Sequence, residues 1–188
     1  MADINKTIDD FIDFVNSNEI EPGFENEIPP SLRTEIVDGV WFKWKIKAHD
    51  NINWIKEIEG VTKLPFPRSY KSLVSRYIFP CFDLGPISFL GNIPTGSNFD
   101  QQELLTGIFT DTNLSNCLLK NGYLQFGRSS TGSYDPICFD TNRVTNKREY
   151  AIFRIDHERA LIDSKISIVE KIAPSFINFV KNYNKNNH

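Results

Sequence analysis

The clearest alternation of apolar and polar positions runs from Tyr123 to Asp140. Leu124 and Phe126 alternate with Tyr123 and Gln125, and Ile137 and Phe139 alternate with Cys138 and Asp140, on either side of a polar loop. A period of two is the mark of a half-buried strand, so the stretch predicts a hairpin whose Cys138 and Asp140 point away from the apolar phase. Gly127 and Gly132 bracket Arg128-Ser129-Ser130-Thr131, and glycine there permits backbone angles that a Cβ resists. A polar loop held between two core strands makes a good recognition surface.

Helical spacing governs much of the rest. Ile4, Ile8, Phe11, Ile12 and Val15 share one stripe, with Asp3 as N-cap. Glu19 to Pro30 reads as a loop and residues 31–37 as a short turn of helix. In Val40 to Lys47, Val40, Phe42, Trp44 and Ile46 form one face and Trp41, Lys43, Lys45 and Lys47 the other. This predicts a sheet-edge strand guarded by lysines, whose basic-aromatic face is either simply solvated or a partner site. His49-Asp50-Asn51 opens a helix carrying Ile52, Ile55 and Ile58 and stopped by Gly60. A further helix starts at Pro67 and carries Tyr70, Leu73, Val74, Tyr77 and Ile78 to Pro80.

Cys81 to Gly91 reads as a bent hairpin about Gly85-Pro86, and Asn92 to Gln102, with Gly96 and Asn98, as irregular. Thr112 or Asn113 caps a short helix that ends at Asn121-Gly122. Tyr150 to Ile155 is a central strand. Ile166 to Tyr183 is a helix with Val169, Ile172, Ala173, Phe176, Ile177 and Val180 on one stripe, started or kinked by Pro174.

The chain has 188 residues, 40% of them hydrophobic and 13% aromatic, with fifteen Phe and a single Met, which predicts one aromatic-packed domain. A net charge of −3 argues against a general nucleic-acid binder. Cys81, Cys117 and Cys138 form no CxxC pair and read as small buried hydrophobes. With neither a signal peptide nor a run able to cross a bilayer, the expected location is the cytoplasm.

Catalytic patterns are near misses. Gly127 to Gly132 has the glycine spacing of a phosphate loop, but Ser133 stands where the lysine belongs and a strand follows instead of a helix. No Gly-x-Ser-x-Gly elbow occurs. Asp156-His157-Glu158, taken as extended backbone, points His157 away from the two carboxylates and gives no converging ligand set. The expectation is a non-enzyme with no cofactor and no metal.

Four motifs in order carry a resemblance. They are Leu64-Pro65 followed by Tyr70-Lys71-x-Leu73-Val74; the hairpin with its Asp135-Pro136 exit and closing Asp140; a strand running into Asp156-His157-Glu158; and Ile172-Ala173-Pro174-Ser175-Phe176-x-x-Phe179-Val180. Over roughly residues 52–180 the chain resembles the SUKH superfamily, the Smi/Knr-like proteins, although Tyr134 stands where such domains usually carry glycine. The predicted fold is α+β, a twisted, mainly antiparallel sheet with helices packed on one side and at the ends. The core spans about residues 40–182, with 1–39 as an N-terminal helix and loop extension.

The resemblance implies a non-catalytic binding protein. One branch consists of bacterial immunity proteins that neutralise polymorphic toxins such as nucleases and deaminases. Another consists of intracellular regulatory scaffolds, and a hydrolase or nucleotide-binding protein is the remaining alternative. On the immunity reading the partner is a cognate toxin, with no nucleic acid and no membrane involved. Arg128, Ser129, Ser130, Thr131 and Tyr134 would face it, and Asp135, Asp140, Asp156 and Glu158 would supply an acidic complement.

Overall fold

The computed structural model describes residues 3–18, 20–49, 53–95, 101–143 and 148–185. The helix opening at Asp50-Asn51-Ile52, Gly96 and Asn98 of the irregular stretch, and the final residues of the tail lie outside them.

The first helix, α1 (Ile4–Ser17), forms as its stripe predicts. The Asp3 carboxylate accepts the Asn5 N–H, and Ile8, Phe11, Ile12 and Val15 are buried. Two short strands come next, β1 (Gly23–Phe24) and β2 (Arg33–Asp38), then β3 (Trp41–Trp44) and β4 (Lys47–Ala48). Strand β2 replaces the expected turn of helix. It pairs antiparallel with β3 through Glu35–Lys43 and Ile36–Phe42, and the turn between them uses Gly39 at φ 54°. Asp38-Gly39 between two apolar runs is a strong hairpin signal that outweighs the helical spacing. Strand β3 is therefore the middle of a three-stranded sheet, order β1-β3-β2, and not an edge. Trp44 and Ile46 are buried as the alternation requires, while Val40 is exposed.

Helix α2 (Asn53–Thr62) runs past Gly60 and stops at Lys63, which takes φ 59°. Helix α3 (Arg68–Arg76) begins after Pro67 and buries Tyr70, Leu73 and Val74. Tyr77 and Ile78 leave it as β5 (Tyr77–Ile78), paired with β4. The bent hairpin is β6 (Phe82–Leu84) and β7 (Ile87–Phe89). Then come β8 (Pro94–Thr95), β9 (Gln101–Gln102), α4 (Glu103–Ile108) and α5 (Thr112–Lys120). The cap of α5 is Asp111, one residue before the expected position, with its carboxylate accepting from Asn113 and Leu114.

The central hairpin is β10 (Tyr123–Ser129) and β11 (Pro136–Asp140), succeeded by β12 (Ile152–Ile155), α6 (His157–Ile162), β13 (Ile168–Ala173) and α7 (Phe176–Lys185). The single long C-terminal helix expected from the stripe is thus two elements. Its first half is an edge strand because Ile168, Val169 and Ile172 are β-branched and Pro174 cannot continue a helix. Ser175 then caps α7, its Oγ accepting the Asn178 N–H at 3.2 Å.

The main sheet has six strands in the order β13-β12-β11-β10-β7-β6, and every neighbouring pair is antiparallel. Helices flank it, so the α+β expectation stands, but they cover both faces. Residues of α1, α2, α3 and α7 join Phe89, Leu124, Phe126, Ile137, Phe139 and Ile152 in the larger core. On the other face Leu118 of α5 packs with Cys138 and Ile155 in a smaller one. Cys138 points away from the larger core, as predicted, into a second apolar layer. Helix α1, expected as an extension, belongs to the larger core.

The larger core is a cluster of rings. Phe126 and Phe139 stack across the hairpin at 4.1 Å, and Tyr70 and Phe176 close on that pair from α3 and α7 at 5.2 to 6.2 Å. The Tyr70 hydroxyl is buried there with no hydrogen-bond partner among the described residues, and burial pushes its pKa far above the ordinary value. A buried unpartnered hydroxyl costs about 1–3 kcal/mol. Tyr70→Phe is therefore expected to raise unfolding stability by about 1 kcal/mol, read as a higher urea midpoint at unchanged slope.

Glu149 ties the helices together. It is 5% exposed and accepts the Ser69 N–H at 2.9 Å and the Ser69 hydroxyl at 2.6 Å. The Ile177 N–H also reaches it, so one carboxylate serves the first turns of α3 and α7. Burial, outweighing these bonds, raises its pKa. A raised folded-state pKa contributes stability below the unfolded value of about 4.3 that is lost as pH rises through the folded value. Glu149→Gln should gain stability relative to wild type between about pH 4 and 7, measured by urea unfolding across that range.

Candidate functional site

The loop between β10 and β11 is short because its ends are joined: the Ser129 N–H donates to the Asp135 carbonyl at 2.8 Å. Inside it, the Ser129 and Thr131 hydroxyls bond each other at 2.7 Å, and the Thr131 N–H reaches Ser129 Oγ at 3.3 Å. Ser130 leans the other way, onto the β6–β7 turn. Its hydroxyl donates to the Gly85 carbonyl at 2.8 Å and its N–H to the Pro86 carbonyl at 3.3 Å. Gly127 supports this geometry through close approach, not through an unusual angle. A Cβ there would sit 2.8 Å from both Ile87 Cγ2 and the Ser88 carbonyl of β7. Gly132, at φ 79°, does take the left-handed conformation the sequence suggested.

The exit of the loop is locked by a charged group. Asp135 Oδ1 accepts the His157 backbone N–H at 3.1 Å and lies 2.9 Å from His157 Nδ1. Its other oxygen is 3.7 Å from Arg154 Nε, and Arg154 Nη1 is in turn 3.7 Å from Glu170 on β13. Burial alone would raise the Asp135 pKa, but the His157 hydrogen bonds outweigh it and hold the carboxyl below its ordinary value. His157 is half-buried, as expected, although the backbone around it is not extended. Asp156 is the N-cap of α6, accepting the Arg159 N–H at 3.0 Å, and His157 opens the helix. The Asp-His-Glu order is a helix start preceded by its cap.

The structure gathers most of the predicted site residues at one end of the sheet and separates one. Ser129, Ser130, Thr131, Tyr134 and Asp135 form the tip, with Arg128 on the last turn-ward rung of β10, opposite Pro136. Asp156 and Glu158 adjoin it through His157. Asp140 lies at the far end of the hairpin, paired with Tyr123, where its Oδ1 accepts from the Asn142 N–H and Nδ2 at 3.1 and 3.0 Å. Ser129 and Asp135 are buried and occupied internally. What the tip shows to solvent is Thr131, Tyr134 and Glu158, with Arg128 and Ser130 partly open. Arg154, His157 and Glu170 were missed as members of the cluster. The alternation of β12 points Arg154 and Asp156 the same way, but nothing in the sequence announces β13 as its neighbour.

Chemistry elsewhere is sparse. A cavity of about 670 Å³ beside β6 is lined by Glu21, Glu27, Asp83 and Glu103 and by no residue of the central hairpin. Cys81, on its wall, donates its thiol to Glu103 at 3.2 Å. Burial, then the Glu103 carboxylate, pushes this thiol up to about 12, so it is a poor nucleophile at neutral pH. Among the described residues no three His, Cys, Asp or Glu side chains are placed to hold a metal, and no helix is long and apolar enough to cross a membrane.

The class defined by fold and site is an α+β protein whose six-stranded sheet ends in a cross-braced polar platform. No family model and no curated protein matches the chain.

The Asp135 lock has a pH signature. Its contribution is present above the unfolded carboxyl value of about 3.9 and is lost as pH falls through the lower folded value. Asp135→Asn should lower stability by about 2 kcal/mol at pH 7, and its deficit against wild type should shrink below about pH 4 in the same denaturation series.

Proposed function

We propose that this protein is a non-catalytic protein-binding domain, an immunity protein that occludes a cognate toxin of the nuclease or deaminase class. The observation that carries the reading is the rigid hairpin tip. Ser129, Ser130, Thr131 and Asp135 are each hydrogen-bonded within the platform, and its exposed side chains include an aromatic ring with no tie to the fold. Such a surface pays little ordering entropy on docking, the condition for tight protein–protein association. The immunity assignment itself comes from the resemblance to the SUKH superfamily, whose four motifs fall on the approach to α3 and α3 itself, on the hairpin, on the β12–α6 junction, and on the end of β13 with α7.

A regulatory scaffold is the second reading, and a separate surface favours it. Phe24 and Trp41 meet at 3.9 Å on the open side of the three-stranded sheet. Ile36, Val37 and Val40 are exposed on the same small sheet, while Lys43 is paired with Glu35 at 3.2 Å. A scaffold would use both surfaces at once.

The test is affinity capture from the source cell with wild type beside a variant carrying Arg128→Ala, Tyr134→Ala and Glu158→Ala, three positions outside the internal lock. One dominant partner, held inactive by wild type and released about 100-fold faster by the variant, is the expected outcome. Partners that persist on the variant and are lost with Trp41→Ala would replace the immunity reading with the scaffold.

A further inference from the structure

We infer that Tyr134 is the anchor through which the hairpin tip grips its partner, and that the partner presents a preformed apolar pocket for one phenol ring. The inference rests on the protein-binding reading and deepens it. Tyr134 has φ 57°, in the left-handed region where the Cβ of an L-residue crowds the backbone and a bulky side chain is an outlier. Glycine occupies that region without penalty, and this chain uses it so at Gly39, Gly85, Gly122 and Gly132. The other non-glycine residues with positive φ among those described are Lys63, Arg148 and Ser164. Tyr134 alone adds a ring.

The fold does not account for that ring. The residue is 70% exposed and has no hydrogen bond or ring contact with the described residues, whereas its neighbours Ser129, Ser130, Thr131 and Asp135 all bond within the platform. The backbone angle is imposed from both sides. Ser129 N–H to Asp135 carbonyl closes the loop, and His157 holds Asp135. An unrelaxed backbone maintained by its surroundings is a mark of functional sites. A tyrosine on a fixed backbone has only two side-chain torsions to order on docking. Tyrosine is also enriched among residues that dominate interface energy, where it fills a desolvated pocket.

The experiment uses the full chain and the partner purified by affinity capture with wild type. Affinity is measured for wild type, Tyr134→Gly, Tyr134→Phe and Arg128→Ala, beside thermal unfolding of each. Tyr134→Gly is expected to unfold at or above the wild-type temperature, since its backbone is relaxed, and to bind about 30-fold or more weakly. Tyr134→Phe keeps the ring and should bind within about ten-fold of wild type. Tyr134→Gly binding as wild type does, while Arg128→Ala fails to bind, would overturn the anchor and leave the protein-binding reading standing. A Tyr134→Gly protein that unfolds several degrees lower would also overturn it, by showing that the ring serves the fold. If wild type itself captures nothing, the protein-binding reading falls and the anchor with it.

Discussion

The stacked Phe126–Phe139 pair is the contact on which the rest of the structure depends. It sits in the middle of the six-stranded sheet, and Tyr70 and Phe176 pack on it from helices more than a hundred residues apart in the chain. Stacking two rings across a hairpin in this way has a geometric consequence. The β10–β11 register slips by one residue between Gln125 and Gly127, so Phe126 is the bulged residue. A bulge bends its strand and re-aims the residues after it. Past the bulge, Gly127 presses onto β7 and the loop reaches the Gly85–Pro86 turn. The position of the tip is set in the core.

Glu149 provides the second constraint. Two helices whose first turns face the same buried point leave N–H groups that need an acceptor, and a carboxylate is a strong one at a helix N-terminus. It remains there despite the desolvation that raises its pKa, because losing it would strand donors on α3 and α7 together. Ring packing fixes how far these helices lie from the sheet, and Glu149 fixes where they begin.

Much of this was legible in the sequence where one physical signal dominated. The stripe of α1, the Gly85-Pro86 bend and the alternation of the central hairpin each gave a single period, and each formed. The failures came where two signals competed. Residues 168–180 carry apolar residues that satisfy a helical stripe, yet residues 168–173 form a strand on β12, with Ile168 opposite Ile155 and Ala173 opposite Ile152. Residues 31–37 hold too little apolar surface to show a period, and the informative pair was Asp38-Gly39 just beyond. The second core behind Cys138 was invisible for a different reason. Alternation tells which residues leave the first face, but not whether helices will cover the second.

The sequence grouped most of the candidate residues that meet at the hairpin tip but did not show what their carboxylates bond, and the reason is the habit of aspartate. Asp3, Asp111 and Asp156 each accept a backbone N–H at the start of a helix. Asp140 does the same in the turn after β11, and Asp135 accepts from His157 across the tip. A short carboxylate next to a turn reaches its own backbone more readily than any partner. Three of the four acidic residues assigned to recognition are therefore occupied by their own backbone, Asp135 and Asp156 at the tip and Asp140 at the far end of the hairpin. An acidic surface mimicking phosphate would need carboxylates free to meet a partner's cations, and at the tip only Glu158 has that freedom. What the platform holds out without internal use is the ring of Tyr134, so on the proposed protein-binding reading its contact with a partner would be aromatic before it is ionic.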